Sequence, residues 1–224
     1  MISHKHKCIF IHVPKCGGTS IEFYLREHAS ALGHLPEPGL DLTLRREGLA
    51  QVLNRHPDYF VFTFVRHPFD RLVSTWRHSL RGRLPYCDRP VRDLLFADYV
   101  RIAAEGRVAD QSPFDRYHLL PQVGFIPGPT RRTLFGVPLL PEVTCGFIGR
   151  FERLDDDFRE VCRRLGIAEH GLPRRNAGPQ EPDDRKLHWS ERYEAATIRL
   201  VEELYREDMD AFGYAPPVDT RTPA

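Results

Sequence analysis

The stretch CIFIHVPKCGGTSIEF, Cys8 to Phe23, decides the fold. Its first half, CIFIHV, is short, continuous and apolar, the pattern of a strand buried on both faces. The run stops at Pro14; Lys15, Cys16, Gly17 and Gly18 follow, and Thr19 and Ser20 open a helix. A strand, a glycine loop and a helix N-terminus in that order form a phosphate cradle. Two glycines let the main chain approach an anion closely, and the N–H groups at Thr19 and Ser20 point at it. The two hydroxyls add donors, although Ser and Thr at this place also serve as plain helix caps.

Two common loops are excluded. A Walker A loop places its lysine after the last glycine, as GxxxxGK[ST]. Here Lys15 precedes both glycines, which disfavours a metal-dependent nucleoside triphosphatase. A cysteine phosphatase loop would need an arginine six residues after Cys16, and that position is Glu22. Cys16 therefore reads as a small loop residue.

Working outward, YFVFTFV, Tyr59 to Val65, is a second buried strand, broken by RHPF. A helix over 70–80 follows, with Pro68 suited to its start and Asp70 to its first turn. CGFIG, Cys145 to Gly149, is a third short strand. Further helices are expected over 19–32, 46–54, 91–105, 154–165 and, as one long amphipathic element, 190–212. Residues 33–48 and 171–187 read as loops and the tail after 215 as disordered. Strands separated by helices argue for an α/β fold with a central parallel sheet flanked by helices. We expect a single domain over 1–215, with 81–145 as an insertion that contributes loops.

Length and composition agree. The chain has 224 residues, 41% hydrophobic and 28% charged, with formal net charge +1. Such a balance gives no reason to expect nucleic acid as a partner. Five cysteines, an odd number without a CxxC pair or a Cys/His cluster, argue against a disulfide framework or a structural zinc and for reduced thiols. No segment reaches the ~18 apolar residues of a membrane span, and the apolar run before Pro14 is too short for a signal sequence. The chain is expected to be cytoplasmic.

In a parallel sheet, ligands sit beyond the carboxyl ends of the strands. Lys15 follows the first strand, Arg66 the second and Arg150 the third. Three cations at one sheet edge make an anion pocket in a chain of almost no net charge.

Three segments together resemble PAPS-dependent sulfotransferases of the carbohydrate type. PKCGGTS is similar to that family's 5′-phosphosulfate loop, written PKTGGTS. FVRHPFDRLVSTW resembles its 3′-phosphate motif, an arginine followed eight residues later by a serine. FIGRFERLDDDFREVCRRLGI, LPRRNAG and LYREDMDAFGY resemble later segments. The resemblance spans 8–80 and 145–214. Cys16 departs from the usual threonine, His67 from asparagine or aspartate, and Leu187-His188-Trp189 from a tyrosine-containing stretch.

The resemblance implies a P-loop-like fold, 3′-phosphoadenosine 5′-phosphosulfate (PAPS) as sulfuryl donor, and no metal. It assigns Lys15, Cys16, Gly17, Gly18, Thr19 and Ser20 to the 5′-phosphosulfate and Arg66 and Ser74 to the 3′-phosphate. Arg66 offers a planar fork suited to a phosphate. The acceptor would be a hydroxyl on a carbohydrate or glycoconjugate. Its deprotonation needs a general base, which related enzymes supply as a histidine between the loop and the arginine motif. His34, in LGHLPEP, is the first choice; His28, His56 and the carboxylate of Glu22 are the alternatives. His12 reads as a core histidine. Asp115, His118 and Gln122 form a pattern that is either acceptor-facing or structural. Arg131 and Arg132 are candidates for contact with an anionic sugar polymer. Trp76 and Trp189 are either sugar platforms or packing residues. Acceptor choice is assigned to 33–58 and 81–145.

Overall fold

The computed structural model describes residues 1–28, 32–33, 42–79, 95–106, 117–127, 133–134, 137–138, 145–173 and 187–218. These group into two compact units, Met1–Val65 with Gln122–Ala177, and Arg66–Pro121 with Gly178–Ala224.

The first unit is built on a five-stranded sheet. Its strands are β1 (Ile2–Ser3), β2 (Cys8–Ile11), β3 (Leu32–Gly33), β4 (Phe60–Val65) and β7 (Phe147–Arg150), in the order β3-β1-β2-β4-β7. The middle of the sheet is parallel as expected: Cys8 to Ile11 pair with Phe60 to Thr63, and Phe62 to Val65 with Phe147 to Arg150. At the other edge, β1 runs antiparallel to both β2 and β3. β2 and β4 are almost wholly buried, as continuous apolar strands in parallel sheets are. Thr63, inside β4, satisfies its hydroxyl by donating to the Ile11 carbonyl at 2.7 Å. β5 (Thr133–Leu134) and β6 (Val137–Pro138) form a separate two-stranded pair.

Helices cover both faces. On one, Leu49, Val52 and Leu53 of α2 (Leu42–Arg55) pack with Ile9, Ile11 and Val61. On the other lie α1 (Gly18–His28) and α5 (Leu154–Leu165), joined by an edge-to-face contact of Tyr24 and Phe158. The Tyr24 hydroxyl also donates to the Ala168 carbonyl. α5 shows why its sequence is a helix: Asp155, Asp156 and Asp157 in the first turn, Arg163 and Arg164 in the last, and Gly166 in the left-handed conformation as its stop. α2 begins inside the stretch expected to be loop, and the third strand ends one residue later than expected, so that Arg150 is its last residue.

The second unit is helical. α3 (Pro68–Ser79) and α4 (Phe96–Ala104) pack with α6 (Ala195–Leu204) and α7 (Arg206–Phe212) around Phe69, Leu72, Trp76, Tyr99 and Val201. The long helix expected over 190–212 is broken. A 3₁₀ turn (Trp189–Arg192) precedes α6, and Tyr193 and Tyr205 have non-helical backbone on either side of it. Both tyrosines are anchored in the core: the Tyr193 hydroxyl donates to the Phe69 carbonyl at 2.7 Å and that of Tyr205 to the Leu119 carbonyl at 2.9 Å. Burial pushes the Tyr205 phenol up to about 12 and raises that of Tyr193 well above its ordinary value, so both stay neutral donors. Sequence periodicity does not report anchors of this kind.

Candidate functional site

The loop after β2 is held in an uncommon shape. Lys15 has φ of 67° and Gly17 of 84°. The left-handed region is rare for a residue with a side chain and costs about 1–2 kcal/mol, so Lys15 is held there by its surroundings. Gly17 is glycine for two reasons. Its φ requires one, and a Cβ there would lie 2.9 Å from Cδ2 of Leu154 and 3.4 Å from the Phe151 ring. The loop is thus pressed against the start of α5 in the same unit.

The amides refine the sequence reading. The Ser20 N–H donates to the Gly17 carbonyl at 3.0 Å, and the Ile21 N–H to the same oxygen at 3.3 Å. Ser20's amide is therefore engaged within the loop and does not point outward as expected. The amides of Gly17, Gly18 and Thr19 come earlier, where a helix offers its own donors no acceptors. With Lys15, they are the groups through which this α1 terminus would meet an anion. The Thr19 side chain is exposed and that of Ser20 buried.

Beneath the loop, Cys16 is buried, and its thiol donates toward Oε1 of Gln122 at 3.2 Å and the Pro14 carbonyl at 3.5 Å. Gln122, fully buried, thus supports the loop from below. His12 leaves β2 on the Phe10 side, stacks on that ring, and meets Glu22 of α1, Nδ1 to Oε1, at 2.9 Å. Burial works against the Glu22 carboxylate, but the hydrogen bond and charge of His12, with the charges of the N-terminus and Arg26, outweigh it and hold its pKa below the ordinary value. An ionised carboxylate accepts, so Nδ1 of His12 carries the proton. His12 is satisfied within the fold, as expected, but it is half-buried rather than in the core and is bound to the helix that carries the loop's donors.

Arg150 faces Val65 across the sheet, and its backbone N–H donates to Asp157 Oδ2 at 2.7 Å. His56 stands at the opposite end of the sheet, before β4, in ring contact with Tyr59 and His4. That removes it from the carboxyl edge of the strands. His34, Asp115, Arg131 and Arg132 lie outside the described residues, as does the side chain of His28.

In the second unit, Arg66 follows directly on β4. Its Nε donates to Asp70 Oδ2 at 2.7 Å, with both side chains largely buried. Asp70 and Ser74 are four residues apart on α3 and share a face. The fork of Arg66 is therefore aimed by a carboxylate that sequence reading treated only as a helix-start signal. Trp76 lies in the core against Phe96, and Trp189 packs on His67 with ring centroids 4.4 Å apart. Trp76 is a packing residue, whereas Trp189 keeps part of its surface exposed.

The model of the "Sulfotransferase family" matches residues 1–215. The chain belongs to the sulfotransferase family. Among its relatives, carbohydrate sulfotransferase 14 of Danio rerio is 24% identical, with 98% of this chain and 63% of that protein aligned. The chain thus spans less than two thirds of that relative's length. Carbohydrate sulfotransferase 10 of Xenopus laevis is 25% identical over 96% of this chain and 67% of its own. A solved sulfotransferase from Alicyclobacillus acidocaldarius aligns with 92% of this chain and 98% of its own, at 20% identity and a TM-score of 0.42. Among the described residues of this sulfotransferase-family chain, no helix is long and apolar enough to cross a membrane.

Proposed function

We propose that this chain transfers a sulfuryl group from PAPS to a hydroxyl of a carbohydrate or glycoconjugate, with residues 1–215 acting as one catalytic domain. The observation that carries the reading is the loop Lys15–Ser20, bent by two left-handed residues at the N-terminus of α1, in a chain that belongs to the sulfotransferase family. The names of its relatives support a carbohydrate acceptor.

PAPS supplies an activated sulfuryl group whose leaving oxygen gains charge as the bond breaks. Lys15 stabilises that charge, and the amides of Gly17, Gly18 and Thr19 hold the 5′-phosphosulfate. Arg66, aimed by Asp70, holds the 3′-phosphate together with Ser74. Arg150 adds positive charge at the strand end. A histidine takes the acceptor proton, and the family resemblance assigns this to His34. No metal enters the scheme. A cytoplasmic setting belongs to the same proposal and is supported by Cys8, Cys16, Cys145 and Cys162, which stand as free thiols.

Calorimetric titration with adenosine 3′,5′-bisphosphate, with and without Mg²⁺ and against ATP, tests the reading. Binding that ignores Mg²⁺ and exceeds that of ATP is expected, followed by turnover of labelled PAPS in an acceptor screen. Lys15→Ala should abolish turnover while lowering bisphosphate affinity far less. Absent bisphosphate binding, or tight Mg²⁺-dependent ATP binding, would overturn it in favour of a kinase-like phosphotransferase.

A further inference from the structure

Gly18 is not glycine for conformational reasons, since its φ lies outside the left-handed range. It is glycine for space. A Cβ on residue 18 would lie 2.4 Å from both Cδ2 and Nε2 of His12, and 2.8 Å from Cε1. Atoms that close cannot coexist, so one group must give way. A flexible side chain would do so cheaply, but His12 is not free to swing. Its Nδ1 is held by Glu22 at 2.9 Å, and its ring is stacked on Phe10 with centroids 5.9 Å apart and planes 26° apart.

The two α1 positions that touch this ring, Gly18 and Glu22, are four residues apart and therefore lie on one face, a turn from each other. The ring thus stands between the end of β2 and the first turn of α1. Everything from Val13 to Gly17 is strung between those two points. How closely α1 approaches the strand end decides where the amides of Gly17, Gly18 and Thr19 lie, and an imidazole of fixed orientation sets that distance.

We propose that His12, tethered by Glu22, is a positioning residue for the phosphate loop: it acts through Gly18 to seat the first turn of α1, and so sets the affinity for the donor's 5′-phosphate group. The proposal rests on the PAPS reading above. It assigns His12 no contact with the reacting atoms.

The test is a double-mutant cycle on His12 and Gly18, read by calorimetric titration with adenosine 3′,5′-bisphosphate and accompanied by thermal melts. Gly18→Ala alone should weaken binding about tenfold, whereas in the His12→Ala background the same change should cost less than about threefold, the non-additivity of groups in direct contact. Glu22→Leu, which keeps the ring but cuts its tether, should also soften the Gly18→Ala penalty, while Glu22→Gln, which keeps an acceptor for Nδ1–H, should leave it in place. With PAPS, the His12→Ala defect should appear in the donor KM more than in kcat. If His12→Ala does not fold, His12→Asn removes the ring while keeping an amide donor for Glu22. Equal Gly18→Ala penalties with and without the ring would overturn the proposal. So would His12 variants with a lowered melting temperature but unchanged bisphosphate affinity. Failure of the wild-type protein to bind the bisphosphate would overturn the donor reading itself, a result distinct from binding with additive penalties.

Discussion

The thiol of Cys16 lies 3.2 Å from Oε1 of Gln122, a residue 106 positions later in the chain and without exposed surface. The loop expected to meet the donor is thereby fastened on its hidden side to a buried amide. The same contact accounts for Gln122 in the pattern of Asp115, His118 and Gln122: this member of it is structural.

Cys16→Ser keeps a donor of nearly the same size and should leave stability within about 1 kcal/mol of wild type. Cys16→Val removes the donor, takes a hydrogen bond from buried Oε1, and should cost about 1–3 kcal/mol, the range for a buried polar group deprived of a partner. Urea denaturation midpoints distinguish the two.

Asp70 should matter to ligand binding without touching the ligand. Its carboxylate holds Nε of Arg66 at 2.7 Å, and a pre-aimed fork loses less freedom on binding. Bisphosphate affinity should be weakened most by Arg66→Ala, then by Asp70→Ala, then by Asp70→Asn, with the middle variant weakened about tenfold if the charge-assisted contact is worth about 1.5 kcal/mol. Arg66→Lys should behave nearly as Arg66→Ala, because an ammonium cannot serve Asp70 and a phosphate with one planar group. Calorimetry on the four variants gives the order directly.

Glu22 should make stability depend on acid. Burial opposes its charge, and the His12 contact together with the N-terminal and Arg26 charges more than compensates, so its folded pKa lies below its unfolded one. A depressed carboxyl stabilises the fold fully above the unfolded value, about 4.3. That contribution is lost as pH falls through the lower folded value. The stability advantage of wild type over Glu22→Gln should therefore be present at pH 5 and shrink below about pH 4. Denaturation midpoints across that range check the sign.

Arg71 should be a stability residue of the second unit. It is buried to 1% exposure, donates from one terminal nitrogen to the carbonyls of His118 and Leu120 at 2.9 and 2.7 Å, and lies 5.7 Å from the centre of the Tyr205 ring. Arg71→Met strands two carbonyls and should cost about 3 kcal/mol; Arg71→Lys should recover only part of that, since an ammonium lacks the planar fork. The loss should appear in the melting temperature and in faster amide exchange over 117–121.

Much of this was legible in sequence where local chemistry and tertiary structure ask for the same thing. β2 and β4 are nearly continuous apolar runs, as a strand buried on both faces requires unless its polar groups are hydrogen-bonded. α3 starts at Pro68 with Asp70 in its first turn, and α5 carries its acids first and its arginines last. The loop between β2 and α1 was legible because a lysine, two glycines and two hydroxyls after a buried strand have few other uses. Where packing overrides pattern, sequence reading failed. One amphipathic stretch over 190–212 became a 3₁₀ turn and two helices because Tyr193 and Tyr205 are tied to the carbonyls of Phe69 and Leu119. The short strand Ile2–Ser3 has no periodicity of its own; its pairing with Ile9 and Cys8 makes it a strand.

The sequence by itself determined the fold class, the place of the loop and the cations at the strand ends, because each follows from the order of residues along one short segment. Tertiary structure alone decided what each loop residue does there. Gly18 makes room for His12, Cys16 grips Gln122 and Asp70 aims Arg66. Two of these contacts join residues four and six positions apart, and the third joins residues over a hundred positions apart. In each case the deciding quantity is a separation of about 3 Å between groups the fold brings together, and hydrogen bonding and steric exclusion act at that range and not along the chain.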